Sequence, residues 1–117
     1  MHYDIADCLR SCCHDKTSNT FSLVICEAIL SSYLKEVADF FSDYDYQYLY
    51  PAIRLLPFEL GLRFYTDYLQ ANVYFKVDYP EQNLHRAIEQ FKLCQSIIDQ
   101  EAQIKQIIDE LVCQINV

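Results

Sequence analysis

Three charged residues in the middle of the chain have a spacing that suits binding chemistry. Glu59, Arg63 and Asp67 stand at positions i, i+4 and i+8, so a helix would place all three on one face. Such a row is most often a solvated ladder of ion pairs, each worth about 0.3 kcal/mol. Their neighbours are mostly apolar, however, and a charged row on a largely buried helix needs mutual pairing or a polar ligand. Spacing alone leaves both interpretations open.

Four residues near the start form the densest group of soft metal ligands: Cys8, Cys12, Cys13 and His14. Cys8 and Cys12 lie one helical turn apart, so both can face one metal ion. No paired C-x-x-C accompanies them, and their spacing also suits a core-facing helix side. Packing is therefore the preferred interpretation, and a thiol or metal module is the alternative.

A tyrosine-rich acidic run lies between Asp43 and Tyr50. Aromatic rings stack on bases, but the basic residues of a nucleic-acid platform are missing from it. We interpret the run as a helix start, because acidic residues favour the positive end of the helix dipole. His2 and His85 have no companion acid and nucleophile at a recognisable spacing, which predicts surface or capping roles.

The composition of the 117-residue chain excludes several classes of function. It has a single glycine, and glycine-rich loops are what let a backbone approach phosphates closely, so no nucleotide-binding loop is present. The net charge of −8 argues against nucleic acid as a partner. No apolar run is long enough for a membrane span and no signal peptide opens the chain, which predicts a soluble cytoplasmic protein. We expect all six cysteines to be reduced and no cofactor to be bound.

The hydrophobic spacing predicts an all-α fold in one domain over residues 1–117. A short first helix should hold Ile5, Cys8, Leu9 and Cys12 on one face. Ser18 or Asn19 is expected to cap a second helix that runs from about Thr20 to Phe41. A third helix should start at Ser42-Asp43, with breaks or restarts at Pro51 and Pro57.

The second half of the chain predicts two more helical stretches. Phe58, Leu62, Tyr65 and Leu69 share one helix face. The alternating stretch 72–79 has no partner strand and is interpreted as an extended connection. A last helix should begin with Asn83 as its N-cap and could run to Ile115, about 50 Å, although its apolar stripe thins between Asp99 and Gln103.

Several blocks of sequence resemble a phosphotransferase family. They are Phe58–Leu69 (FELGLRFYTDYL), Asn72–Val77 (NVYFKV), Asn83–Ala87 (NLHRA) and the weaker opening block Tyr3–Arg10 (YDIADCLR). Over about residues 2–101 the chain is similar to the C-terminal end of the aminoglycoside phosphotransferase/choline kinase-like family, in its N-acetylhexosamine kinase-type branch. The resemblance implies the helical C-terminal subdomain of a protein kinase-like fold, with residues 102–117 as a helical extension.

The resemblance also implies roles for individual residues. Arg63 and Tyr74 match positions that face the sugar in hexosamine kinases, which implies a vestigial substrate-binding surface. Asp4 matches an aspartate that braces the catalytic loop. Glu59 and Asp67 are expected to be structural polar residues. The ATP lobe, the catalytic loop with its H-x-D-x-x-x-x-N pattern and the metal-binding aspartate motif are missing, so the resemblance implies a truncated phosphotransferase with no catalytic residues and no activity alone.

The expected partners follow from the resemblance and from the apolar pattern of the C-terminal helix. A separate N-terminal kinase lobe is one candidate. An apolar stripe beyond the family-like region predicts a homodimer through the C-terminal helix. It consists of Ile104, Ile107, Ile108, Leu111 and Ile115. The alternative is that the tail folds back over the surface vacated by the missing lobe. A self-associating helical interaction module with no ligand is the alternative function.

Overall fold

The computed structural model describes residues 2–37 and 41–115, except for the side chains of residues 2, 3 and 115. The described residues form five helices and one small hairpin: α1 (His2–Cys12), β1 (His14–Asp15), β2 (Thr20–Phe21), α2 (Leu23–Val37), α3 (Asp43–Leu69), α4 (Gln82–Asp99) and α5 (Glu101–Ile115). The predicted helical class is confirmed, with the hairpin as an unexpected addition.

The hairpin occupies the polar stretch between α1 and α2. β1 and β2 pair antiparallel, with His14 opposite Phe21. Asn19 adopts a positive φ of 55°, and its Oδ1 lies 3.1 Å from His14 Nε2. The predicted capping role of Asn19 or Ser18 is therefore wrong, because both residues belong to the turn. Ser22 Oγ instead accepts a hydrogen bond from the Ile25 N–H at the start of α2.

Helix α1 buries a face different from the predicted one. Ile5 and Leu9 are in the core as expected, together with Ala6 and Cys13. Cys8 and Cys12 are exposed. The predicted end of α2 at Phe41 is wrong, because α2 spans Leu23–Val37 in the described part of the chain. Phe40 lies outside the described residues.

Helix α3 begins where the sequence predicts. The Ser42 hydroxyl accepts from the Asp45 N–H while the Asp45 carboxylate accepts from the Ser42 N–H, which is a reciprocal capping box. The predicted breaks at Pro51 and Pro57 are wrong, since α3 continues through both. A proline φ is compatible with a helix, and the loss of two backbone hydrogen bonds is tolerated because α3 is held along its length by α4 and α1.

The contact between α3 and α4 is close at the only glycine. A Cβ placed on Gly61 would lie 2.6 Å from Cε1 of Phe91 on α4. The phenyl ring of Phe91 thus occupies the space that any other residue at position 61 needs. Gly61 serves interhelical packing rather than a turn.

The predicted last helix is two helices with a corner at Gln100. Its amide Nε2 donates to the Phe21 carbonyl and to Ser96 Oγ, each at 3.0 Å, and the Phe21 N–H donates to the same hydroxyl. These bonds tie the corner to β2. The corner falls where the apolar stripe thins, as the sequence indicated.

Helix α5 packs against α2 and α3 and so covers its own apolar stripe. Ile104, Ile108 and Leu111 are buried in the core with Leu30 and Leu34 of α2. The prediction that this stripe is exposed for a partner is wrong, because its buried members pack against the chain's own α2 and α3. The side chain of Ile115 lies outside the described part of the chain.

In the described part of the chain, no helix combines the length and the apolar character that crossing a membrane requires.

Candidate functional site

A buried carboxylate near the end of α3 organises the connection between α3 and α4. Asp67 is only 4% exposed. Its Oδ1 accepts from the Tyr74 N–H at 2.7 Å, and its Oδ2 accepts from the Phe75 N–H at 2.9 Å and from Asn83 Nδ2 at 2.8 Å. Three N–H donors replace the water that the carboxylate loses, which is the condition for burying a charge.

The chain reverses direction just after α3 so that these amides can reach Asp67. Ala71 and Asn72 both have positive φ, 64° and 61°. The Asn72 N–H donates to the Asp67 carbonyl at 2.8 Å, which closes the turn. Two consecutive left-handed residues without glycine are costly, and the bonds to Asp67 hold them in place.

Two further residues complete the polar network around the turn. Asn83 Nδ2 also lies 3.2 Å from Asn72 Oδ1, while Asn83 Oδ1 accepts from the Arg86 guanidinium at 3.0 Å. The same guanidinium donates to the Lys76 carbonyl. The predicted N-cap role of Asn83 is wrong: the residue is buried inside the first turn of α4, and Glu81 stands at the N-cap.

The anchored connection and α3 form the two walls of an open cleft of about 530 Å³. The cleft is lined by Leu62, Arg63, Thr66, Asp67, Gln70, Tyr74 and Phe75. Arg63 and Tyr74, which the resemblance assigns to a sugar, thus come from different elements and line the same cleft. Asp67 is what holds the second wall against the first.

The side chains of the cleft offer polar groups at its rim and an aromatic surface. The Tyr74 side chain is 83% exposed, and its ring meets that of Phe75 edge-on at 4.9 Å. Among the described residues, the Arg63 guanidinium has no ion pair and no hydrogen-bond partner. Thr66 and Gln70 add a hydroxyl and an amide. Directed donors beside an aromatic face suit a small polyhydroxylated ligand.

The members of the predicted charged row do not form ion pairs with one another in the described structure. Glu59 and Arg63 are exposed, and neither pairs with the Asp67 carboxylate. The expectation that this helix leaves little exposed surface is wrong, because Phe58, Leu62 and Tyr65 are all more than 40% exposed. Asp4 is exposed on α1 and does not line the cleft.

Sequence reasoning missed the residues that support the site. Asn72, Asn83 and Arg86 had no assigned role in binding, yet all three stabilise the connection. The sequence does contain one signal for them. Two asparagines, Asn72 and Asn83, flank the connection that follows Asp67, and asparagine side chains often form hydrogen bonds across a turn.

The cysteine cluster does not assemble into one set of ligands. The thiols of Cys8 and Cys12 lie 3.9 Å apart on the exposed side of α1, whereas Cys13 points into the core. A hydrogen bond with the Cys26 thiol and burial raise the pKa of Cys13, and His14 contacts Asn19 instead. Within residues 2–37 and 41–115, no three His, Cys, Asp or Glu side chains are grouped as a metal site.

A scan of the chain against models of known protein families finds none that matches.

Proposed function

We propose that the chain is the C-terminal helical part of an aminoglycoside phosphotransferase/choline kinase-like protein, and that its cleft binds the acceptor sugar. In this proposal Arg63 and Tyr74 bind the hydroxyl groups of an N-acetylhexosamine-type ligand. Phosphoryl transfer itself needs an ATP lobe and a catalytic loop, whose motifs this sequence lacks. The chain then contributes acceptor binding and no chemistry of its own.

The observation that carries the proposal is the meeting of Arg63 and Tyr74 in one cleft. The two residues belong to separate blocks of the resemblance, one on α3 and one in the connection after it. Only the turn at Ala71–Asn72, anchored by Asp67, brings the second block to the first. If Asp67 served stability alone, the cleft would not need an exposed Tyr74 or an Arg63 without a counter-ion in the described structure.

The chemistry of the lining supports a sugar over an apolar ligand. The arginine fork donates several directed hydrogen bonds, and the Tyr74 hydroxyl both donates and accepts. Phe75 presents a ring on which the apolar face of a sugar can pack. An open cleft of this size leaves much of a small ligand in water, so we expect weak binding, with a Kd of about 1 mM.

The test is a titration of the full chain with N-acetylglucosamine and N-acetylgalactosamine by ligand-observed NMR. We expect Arg63→Ala and Tyr74→Phe each to weaken binding at least about fivefold, since each removes directed hydrogen bonds. Lys35→Ala on α2 is the matched control for charge, and Tyr79→Phe is the control for a hydroxyl in the same connection but outside the cleft lining.

The controls should bind as the unchanged chain does. Absence of binding at 50 mM sugar, or equal binding by Arg63→Ala and Lys35→Ala, contradicts the proposed role of the cleft.

A further inference from the structure

A continuous apolar stripe runs along the exposed side of α3. It consists of five side chains spaced alternately three and four residues apart, each between 38% and 66% exposed: Leu55, Phe58, Leu62, Tyr65 and Leu69. This is the a/d spacing of a two-stranded coiled coil, held over two heptads. At 1.5 Å per residue the stripe is about 21 Å long.

Helix α4 widens the same apolar surface. A groove of about 170 Å³ between the two helices is lined by Arg54, Leu55, Phe58, Cys94 and Ile98. Ile98 and Ile88 of α4 are also more than 40% exposed. Monomeric proteins seldom leave so many large apolar side chains together in water.

We propose that this surface, made of the α3 stripe together with Ile88 and Ile98 of α4, pairs with the same surface of a second copy of the chain. The two α3 helices are parallel in this pair. A two-fold axis along the stripe brings each apolar side chain against its own counterpart, so that one patch serves both subunits. The proposal rests on the apolar side chains and flanking charges of α3 and not on ligand binding, although Leu62 also lines the cleft.

The charges that flank the stripe indicate that the partner is a second copy of the chain and that the two α3 helices run parallel. Arg54 precedes the first apolar position and Glu59 follows the second, which makes them g and e residues five positions apart. In a parallel pair, Arg54 of each copy faces Glu59 of the other, so two opposite-charge contacts form. Neither side chain has an ion pair among the described residues; the Arg54 guanidinium lies 5.9 Å from the centre of the Tyr50 ring.

The antiparallel arrangement of the same stripe is disfavoured by the same residues. Matching a to d positions allows two registers. One centres between Arg63 and Phe64 and places Glu59 beside Thr66, so no opposite charges meet; the other centres near Leu60 and places Glu59 of one copy beside Glu59 of the other. Like charges in that position repel, whereas the parallel arrangement joins opposite ones.

Sedimentation equilibrium of the full chain under reducing conditions, from 1 to 200 μM, tests the apolar part. We expect a dimer whose Kd rises at least tenfold in Leu62→Gln and in Leu69→Gln. Val24→Gln on α2 is the matched control, because Val24 is also exposed but lies off the surface, and it should dimerise as the unchanged chain does. Circular dichroism establishes that each variant is folded.

A charge exchange tests the direction of pairing. Arg54→Glu and Glu59→Arg should each raise the Kd about tenfold, since two symmetric contacts become repulsive. The double variant R54E/E59R should return it to within about twofold of the original value. A chain that stays monomeric at 200 μM, a dimer unaffected by Leu62→Gln, or a double variant as weak as the single ones overturns the proposal.

Discussion

At the scale of single residues, Asp67 determines the local structure around the cleft. Its carboxylate receives two backbone N–H groups and one side-chain amide from beyond the turn. These bonds compensate the burial of its charge and fix where Tyr74 stands. The residue that positions the cleft is therefore not one of the residues expected to contact the ligand.

Asp67→Asn tests this role. The new amide turns an N–H group towards the N–H donors of Tyr74, Phe75 or Asn83, so we expect a loss of about 2 kcal/mol in the free energy of unfolding. Urea denaturation measures the loss, and hydrogen exchange of the Tyr74 and Phe75 amides should become faster. Asp78→Asn, at an exposed position, should leave both unchanged. Equal stability of the two variants would contradict an anchoring role for Asp67.

The cysteines divide into two groups by burial. Cys8, Cys12 and Cys113 are exposed, while Cys13, Cys26 and Cys94 are buried. Burial raises the pKa of Cys94, and the contact with Cys26 together with burial raises that of Cys13. Burial and the contact with Cys12 also raise the pKa of Cys8, so access to the reagent is what separates the two groups.

We therefore expect a thiol reagent such as DTNB to label three cysteines quickly at pH 8 and the other three only on unfolding. Mass spectrometry of the labelled peptides assigns the sites. Rapid labelling of Cys13 or Cys26 in the folded chain would be incompatible with the packing of α1 on α2.

The residue-level predictions show what spacing can and cannot supply. Residue types and the resemblance pointed to Arg63, Tyr74 and Asp67, and all three lie at one cleft. The hydrogen-bond partners of Asp67 could not be predicted, because they depend on positive φ angles at Ala71 and Asn72. Positive φ is usually predicted from a glycine, and this turn contains none.

At the scale of elements, sequence patterns located helices better than they located helix interruptions. The start of α3 at Ser42-Asp43 follows from a local capping signal. Its passage through Pro51 and Pro57 depends on packing against α1 and α4, which is a long-range property. The exposed face with Phe58 and Leu62 was likewise expected to be covered, because an apolar stripe does not reveal which element covers it.

Gly61 provides a test of the contact between α3 and α4. In the unchanged chain, Gly61→Ala should lower stability, because its methyl group clashes with the Phe91 ring. In a Phe91→Ala background the same substitution should instead raise stability by up to about 1 kcal/mol through helix propensity. Thermal denaturation of the four chains measures the reversal of sign. The same effect in both backgrounds would exclude the close contact.

At the scale of the whole molecule, the chain is elongated. Its radius of gyration is 15.6 Å, against about 13 Å for a compact domain of this length. Its principal extents are 53 × 26 × 18 Å. Helix α5 packs against α2 and keeps Ile104 and Ile108 in the chain's own core. An exposed apolar stripe lies on α3 from Leu55 to Leu69, so the expected site of self-association is α3 and not α5.

The proposed function predicts no kinase activity for this chain. Its sequence has no catalytic-loop pattern and no phosphate-binding loop, and phosphoryl transfer depends on the groups that these motifs supply. We expect no ATP-dependent phosphorylation of hexosamines, choline or aminoglycosides above background. Product formation above background that is abolished by Arg63→Ala would overturn this expectation.

The most direct test of the proposed sugar-binding cleft is a map of amide chemical shifts in a ¹⁵N-labelled chain titrated with N-acetylhexosamine. The account predicts that the perturbed amides cluster at 62–75, with the largest changes near Arg63 and Tyr74 and none on α2. It also predicts that Arg63→Ala raises the sugar concentration needed for half of the perturbation at least about fivefold, while leaving the spectrum of the ligand-free chain otherwise unchanged. Perturbations confined to another surface, or a spectrum unaffected at 50 mM sugar, would contradict it.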